Sequence, residues 1–396
     1  MERVTYVSPF NDYEEVKSQY NFSPNLSLVD CTLRDGEQQA GVTLTREEKV
    51  EIAKKLNEIG IPEIEVGMPA VSEDDRIAIK EMARLGFKSR LTALARPTPE
   101  DIDMLAECGV WCATISIPIG DLQRKYKLGW SDEEYISRML KAAEYAKKKG
   151  LYVNISPYDT MRVNPEFLER VLQEIVRAGT VDRVRLVDTV GAATPMTIKY
   201  LVRKMKSILG SIPIEVHCHD DFGLATACTL AGAEAGAEYL STTMNGVGER
   251  AGNAATEEVL VALKFLYGID LGVDLTKITE TSRLVERTTG VMVQQNKAVV
   301  GRHAFAHESG LVVAGVLKNH FVGEAYAPEA VGQTRELLIG KKSGASAIAN
   351  KLSARGIVLP DEKVRELLKL VKELAIAKKR TLTDEEFFEL AEKVSI

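Results

Sequence analysis

The chain has 396 residues, 45% of them hydrophobic and 27% charged, with a formal net charge of −6, a composition that supplies a sizeable globular core. The acidic balance excludes nucleic acid as the main partner, because phosphate binding needs a basic surface, and no apolar run approaches the roughly 18–20 residues of a membrane span. Five cysteines, at 31, 108, 112, 218 and 228, contain no CxxC pair, so neither a disulfide framework nor a thiolate zinc cluster is expected.

Residues 1–26 read as an extension without a clear period, and "MERVTYVSPFNDYEE" lacks the layout of a secretion signal; a cytoplasmic protein is expected. From 27 the pattern repeats. Short apolar or β-branched runs lie at 27–31, 63–67, 89–95, 112–119, 151–157, 183–188, 214–218 and 238–243. Amphipathic, charge-rich stretches separate them. The first is "TREEKVEIAKKLNEIG" (45–60), where Thr45 reads as an N-cap, Glu48 completes a capping box and Gly60 stops the helix. Eight strand–helix units of this kind imply a parallel sheet with right-handed crossovers, closed into a (β/α)8 barrel over 27–275. A doubly wound open sheet is the alternative, but no glycine-rich phosphate turn follows an early strand. After the barrel, 276–396 reads as a linker and a small helical subdomain. Helices are expected over 277–291 and in the last 50 residues, with 296–345 largely irregular.

In such a barrel the functional residues sit at the C-terminal ends of the strands. There the sequence places Arg34 and Asp35 after strand 1, Glu65 on strand 2, "SPYDTMR" (156–162) at strand 5, "VDTVG" (187–191) at strand 6, His217 and His219 at strand 7, and "NGVGERAGN" (245–253) after strand 8. Two histidines at i, i+2 on a strand point to one face. With Asp35 on the same rim, two imidazoles and a carboxylate make an open divalent-metal site. An isolated HxH would otherwise be two hydrogen-bonded core histidines. Arg34 is permanently charged and suits a developing oxyanion or a carboxylate, or else a salt bridge to Glu65 or Glu37. "NGVGERAGN" reads either as a tight strand-to-helix turn whose glycines supply positive φ or, functionally, as a loop that adds Asn253 as an amide on the metal side. Thr189 is either a donor to a substrate carboxylate or an ordinary helix-entry threonine.

Six stretches, "DCTLRDGEQQAG", "IEVGMPA", "DTVGAATP", "HCHDDFGLATA", "NGVGERAGNAATEEV" and "HESGLVVAGVLKN", occur in order at the expected strands. Together they resemble the metal-dependent Claisen-condensing enzymes, the homocitrate, isopropylmalate and citramalate synthases, within the DRE-TIM metallolyases that also include hydroxymethylglutaryl-CoA lyase. The resemblance runs from about residue 28 to the end. It implies a divalent metal (zinc, manganese or magnesium) held by Asp35, His217 and His219 with Asn253 nearby. It further implies that Arg34 polarises a 2-oxo acid carbonyl, supported by Gln38 and Glu65, and that Thr189 contacts the carboxylate. The implied substrates are acetyl-CoA or a related acyl-CoA and a 2-oxo acid, and the implied assembly is a homodimer.

Three departures from that family stand out. Synthases carry a glutamate–aspartate pair on strand 5, where this chain has Tyr158 and Asp159. In the segment after the barrel they read HxSGxHxDG, where this chain has His307, Ser309 and Gly310 but then Val312 and Ala314. A buried valine cannot move a proton, so Tyr158, Glu65, His307 and His303 remain as acid/base candidates. The regulatory domain that ends isopropylmalate synthases is not expected either. The leading expectation is therefore an acyltransferase. A lyase running the reverse chemistry, and a metal-binding barrel without turnover, stay open.

Overall fold

The computed structural model describes residues 5–395. The chain divides into two compact units, residues 9–293 and residues 5–8 with 294–395. In the first, eight parallel strands pair in sequence order and close on themselves. They are β1 (Ser27–Asp30), β2 (Glu63–Glu65), β3 (Arg90–Ala95), β4 (Cys112–Pro118), β5 (Tyr152–Tyr158), β6 (Arg183–Asp188), β7 (Ile214–Cys218) and β8 (Tyr239–Thr242). The ring shuts where β8 runs beside β1, Ser27 opposite Tyr239 through Asp30 opposite Thr242.

Helix starts are fixed locally. Thr45, Ser72, Thr98, Ser131, Asn164 and Thr194 each accept a backbone N–H of the first turn through the side chain, satisfying a donor the helix leaves open. Thr45 and Glu48 form the reciprocal capping box. Pro99, Pro165 and Pro195 occupy the first turn, where a missing N–H is harmless.

The barrel interior is not the usual packed layer of branched side chains. Alternation along β2, β6 and β7 turns Ile64, Val184, Leu186 and Val216 one way and Glu63, Glu65, Arg183, Arg185, Glu215 and His217 the other, and every one of these residues is buried. Since β2 and β6 face each other across the ring, their ion pairs span the lumen. Arg183 contacts Glu63 at 2.9 Å and Glu215 at 3.1 Å, while Arg185 contacts Glu65 and Glu215, each at 2.7 Å. Asn154 donates to Glu215 at 2.7 Å, and the Arg183 guanidinium lies 3.5 Å from the centre of the Tyr239 ring. Burying such charges is tolerable only because each is paired and hydrogen-bonded.

The barrel unit runs past the expected boundary at 275. Helix Ile278–Thr289 belongs to it: Asn245 donates to Ser282 O at 2.9 Å, and Lys55 pairs with Glu280 at 2.9 Å. In the second unit, Ala306–His307 pairs in parallel with Glu336–Leu337. Helices Ala345–Ser353, Asp361–Lys378 and Asp384–Ser395 bury a core that includes Val313, Ile348, Leu367, Val371 and Phe387. A short helix, Gly310–Val316, interrupts the stretch expected to be irregular. Among the described residues, no helix is long and apolar enough to cross a membrane.

Candidate active site

The turn after β1 places Asp35 at the barrel mouth, its N–H bonded to Cys31 O at 2.8 Å. His217 is the fourth residue of β7. His219 lies one residue beyond the strand's end, not within it, and its N–H is fixed by Asp188 O at 3.1 Å. A single bridge between His219 and Asn253 ties the loop after β8 to the same rim. Gly248 in that loop has a specific reason to be glycine: a Cβ there would stand 1.7 Å from Asn253 Oδ1.

Four polar groups converge. Asp35 Oδ2 is 3.0 Å from His217 Nε2 and 3.5 Å from His219 Nε2. The two Nε2 atoms are 3.3 Å apart. Asn253 Nδ2 is 2.6 Å from Asp35 Oδ2 and 3.2 Å from His217 Nε2. Metal–ligand bonds of about 2.1 Å put neighbouring donors about 3.0 Å apart at right angles and about 3.4 Å apart at the tetrahedral angle, so these spacings fit a cation between them. Asp35, His217 and His219 are all buried, and Asn253 Oδ1 is buried without a hydrogen-bond partner. Nitrogen and oxygen of such an amide exchange by a half-turn, which would present the oxygen to a cation.

Charge states suit the same purpose. Burial drives the His217 imidazole down to about 4, against the opposing pull of Asp35, so the ring is neutral at neutral pH, the form that binds metal. Burial alone would raise the Asp35 carboxyl, but Arg34 and the His217 hydrogen bond outweigh it and hold the group well below the carboxylate range.

Arg34 extends beside this cluster, its Nε 3.1 Å from Glu65 Oε1 and its NH1 3.3 Å from Asp35 Oδ1. Gln38 Oε1 accepts from NH1 at 3.3 Å. Glu65 is thus the partner of Arg34, whereas Glu37 pairs with Lys49 at 2.7 Å. Burial opposes ionisation of Glu65, but the Arg185 and Arg34 guanidiniums overcome it and hold the carboxyl strongly depressed. A carboxylate so occupied is a poor proton acceptor.

A cavity of about 330 Å³ opens over these groups, lined further by Leu94, Ser116, Ser156, Tyr158, Val187 and Thr189. Thr189 Oγ1 accepts the Asp159 N–H at 2.7 Å, which leaves its own proton free to point into the cavity. Tyr158 ends β5 and lines the same cavity, with Lys127 Nζ 5.2 Å from its ring centre. Asp159, beside it, is fully buried and paired with Arg162 at 2.7 Å.

His307 belongs to the second unit. Its Nε2 lies 3.3 Å from Glu324 Oε1, and Arg335 pairs with both oxygens of that glutamate, at 2.5 and 2.6 Å. His303 carries a backbone bond to Gln295 O. Val312 is not buried as expected but 38% exposed, and it is Val313 that packs into the core; both side chains are aliphatic, and neither can move a proton. Sequence reasoning missed Arg185, Glu215, Cys31 and Ser241 around the site. The signal was the i, i+2 charge in "EIE", "RVR" and "EVH", which places charge inside a closed barrel.

Comparison with known proteins follows the same division of the chain. Residues 25–285 match the HMGL-like family profile, and residues 299–379 match the homocitrate synthase post-HMGL domain-like profile. The chain is 42% identical to 2-isopropylmalate synthase 2 of Caldanaerobacter subterraneus subsp. tengcongensis, over 93% of this chain and 96% of that protein. It is 43% identical to homocitrate synthase AksA of Methanopyrus kandleri, over 96% and 95% of the two chains. The hydroxymethylglutaryl-CoA lyase structure from Pseudomonas aeruginosa superposes with a TM-score of 0.62 at 21% identity, over 69% of this chain and 95% of that one, a likeness of fold alone.

Proposed function

The chain belongs to the HMGL-like family, in the branch of the homocitrate and isopropylmalate synthases, and from that premise we propose that it is an acyltransferase condensing acetyl-CoA, or a related acyl-CoA, with a 2-oxo acid to give a 2-hydroxy di- or tricarboxylic acid and free CoA. The observation that carries this reading is the convergence of Asp35, His217 and His219 beside Arg34 in one cavity, in a chain whose segment after the barrel matches the synthase profile. A divalent ion held by Asp35, His217, His219 and the Asn253 amide would supply Lewis-acid polarisation of the 2-oxo acid; zinc, manganese and magnesium all suit two imidazoles, a carboxylate and substrate oxygens.

The chain's own groups do the rest. The Arg34 guanidinium, aimed by Glu65 and Gln38, donates to the carbonyl oxygen as charge develops on it. Thr189 donates to the substrate carboxylate. Tyr158 offers a phenolic O–H and acts as a donor rather than a base. Glu65 is tied to two guanidiniums and orients rather than abstracts. Proton removal from the acyl-CoA methyl is assigned to His307, whose imidazole is held by Glu324. The lyase reading, which Tyr158 and the aliphatic Val312 favour, gains from the comparisons only a likeness of fold at 21% identity, and that fold is shared by many chemistries.

A free-thiol assay tests the proposal. Release of CoA from acetyl-CoA that depends on one member of a 2-oxo acid panel supports it. Cleavage of a hydroxyacyl-CoA with no such release assigns the lyase, and metal binding with neither activity leaves a binding module.

A further inference from the structure

Behind the candidate metal ligands, buried polar groups form a chain. His217 Nδ1 lies 2.8 Å from Ser241 Oγ, Ser241 Oγ lies 3.0 Å from Cys31 Sγ, and Cys31 Sγ lies 3.1 Å from Glu65 Oε2. Cys31 and Ser241 are fully buried, on β1's end and on β8. The other imidazole differs, for His219 Nδ1 is buried without a partner.

The far end of the chain decides its direction. Glu65 is gripped by Arg34 and Arg185 and, as a carboxylate, can only accept. Cys31 has one proton and spends it on Glu65, so its sulfur accepts from the Ser241 hydroxyl. Ser241, with its proton committed to sulfur, offers His217 a lone pair. A metal on His217 Nε2 leaves the ring proton on Nδ1, where it needs an acceptor, and a metal-bound histidine is oriented and made more basic by that acceptor.

Resting on the metal-site reading above, we propose that Ser241 is a positioning residue for His217, and that Cys31 transmits to it the fixed polarity of Glu65. One acceptor-terminated line of hydrogen bonds thereby joins the metal ligand His217 to the carboxylate that aims Arg34. A serine alone is a weak choice for this task because its hydroxyl rotates and can donate as easily as accept. The thiol removes that freedom.

The test measures zinc and manganese affinity by chelator competition on the full chain, with unfolding curves of the metal-free proteins as a folding check. Ser241→Ala should weaken binding by about 10–100-fold, the usual loss for such a partner. Cys31→Ala should weaken it less, and Cys31→Ser, which keeps one donor and one acceptor in order, should restore affinity to within a few-fold. Wild-type affinity in a folded Ser241→Ala overturns the proposal. Should that variant not fold, equal affinity of Cys31→Ala, Cys31→Ser and wild type overturns it instead. His219→Ala in the same assay separates the two claims: if the wild type binds no ion, or His219→Ala binds as tightly, the metal site itself falls. If wild type binds, His219→Ala does not, and the Ser241 and Cys31 variants match wild type, only the relay falls.

Discussion

Arg34 and Glu65 meet at 3.1 Å, and the second oxygen of Glu65 is 2.7 Å from Arg185. One carboxylate on β2 therefore aims the electrophilic candidate at the barrel mouth and also anchors the charged interior beneath it.

Arg34→Lys keeps the charge but loses the planar fork that engages Glu65 and a substrate oxygen together. The expected result is a fall in kcat on the order of 10²–10³, the loss typical of one donor to developing charge, with metal affinity unchanged. Steady-state kinetics and chelator competition on the same preparation check both halves. Near-normal kcat would make Arg34 a structural residue.

Glu65→Gln leaves Arg185 and Arg34 facing a neutral amide in a buried site. Breaking a buried pair from one side costs about 3–5 kcal/mol, read from urea unfolding at neutral pH. The sign of the pH effect follows from the depressed carboxyl. Its folded value lies below the ordinary 4.5, so the stability it contributes is present above about pH 4.5 and is lost as the pH falls through the acid range. The wild type should lose stability more steeply than Glu65→Gln below pH 4.5, and the gap between them should narrow with acid.

His219→Ala removes one of the three proposed ligand atoms, which lie within 4.8 Å of one another. Tight metal binding and turnover should both vanish, while the unfolding curve of the metal-free protein barely moves. Stoichiometric metal at wild-type affinity would rule out the assigned ligand set.

Tyr158→Phe deletes a single oxygen from the cavity wall. If that hydroxyl donates to the reacting oxygen, kcat drops on the order of 10²–10³ and KM changes little. His307→Ala, in contrast, should stop exchange of the acetyl-CoA methyl protons with deuterated water, measured with an unreactive 2-oxo acid analogue. Full-speed exchange in both variants would show that neither residue carries the acid/base chemistry.

Much of this protein is written in local pattern. Thr45 with Glu48, or Thr194 before Pro195, starts a helix through groups three residues apart, and the apolar runs between such helices alternate eight times. That is enough to derive a barrel. Arg34–Asp35 and His217–His219 are legible for the same reason, since a strand's period of two and the position of a strand's end depend on near neighbours only. The pairing of Glu65 with Arg185, 120 residues apart, is different. So are the line from His217 through Ser241 and Cys31, and the Asn253 amide against Asp35. Charged residues in "EIE", "RVR" and "EVH" announce that the lumen is polar, but not which charge meets which. That is set by the tilt and stagger with which eight strands close, and by β8 coming to lie beside β1. No short stretch of sequence contains those quantities, because they exist only once the ring is shut.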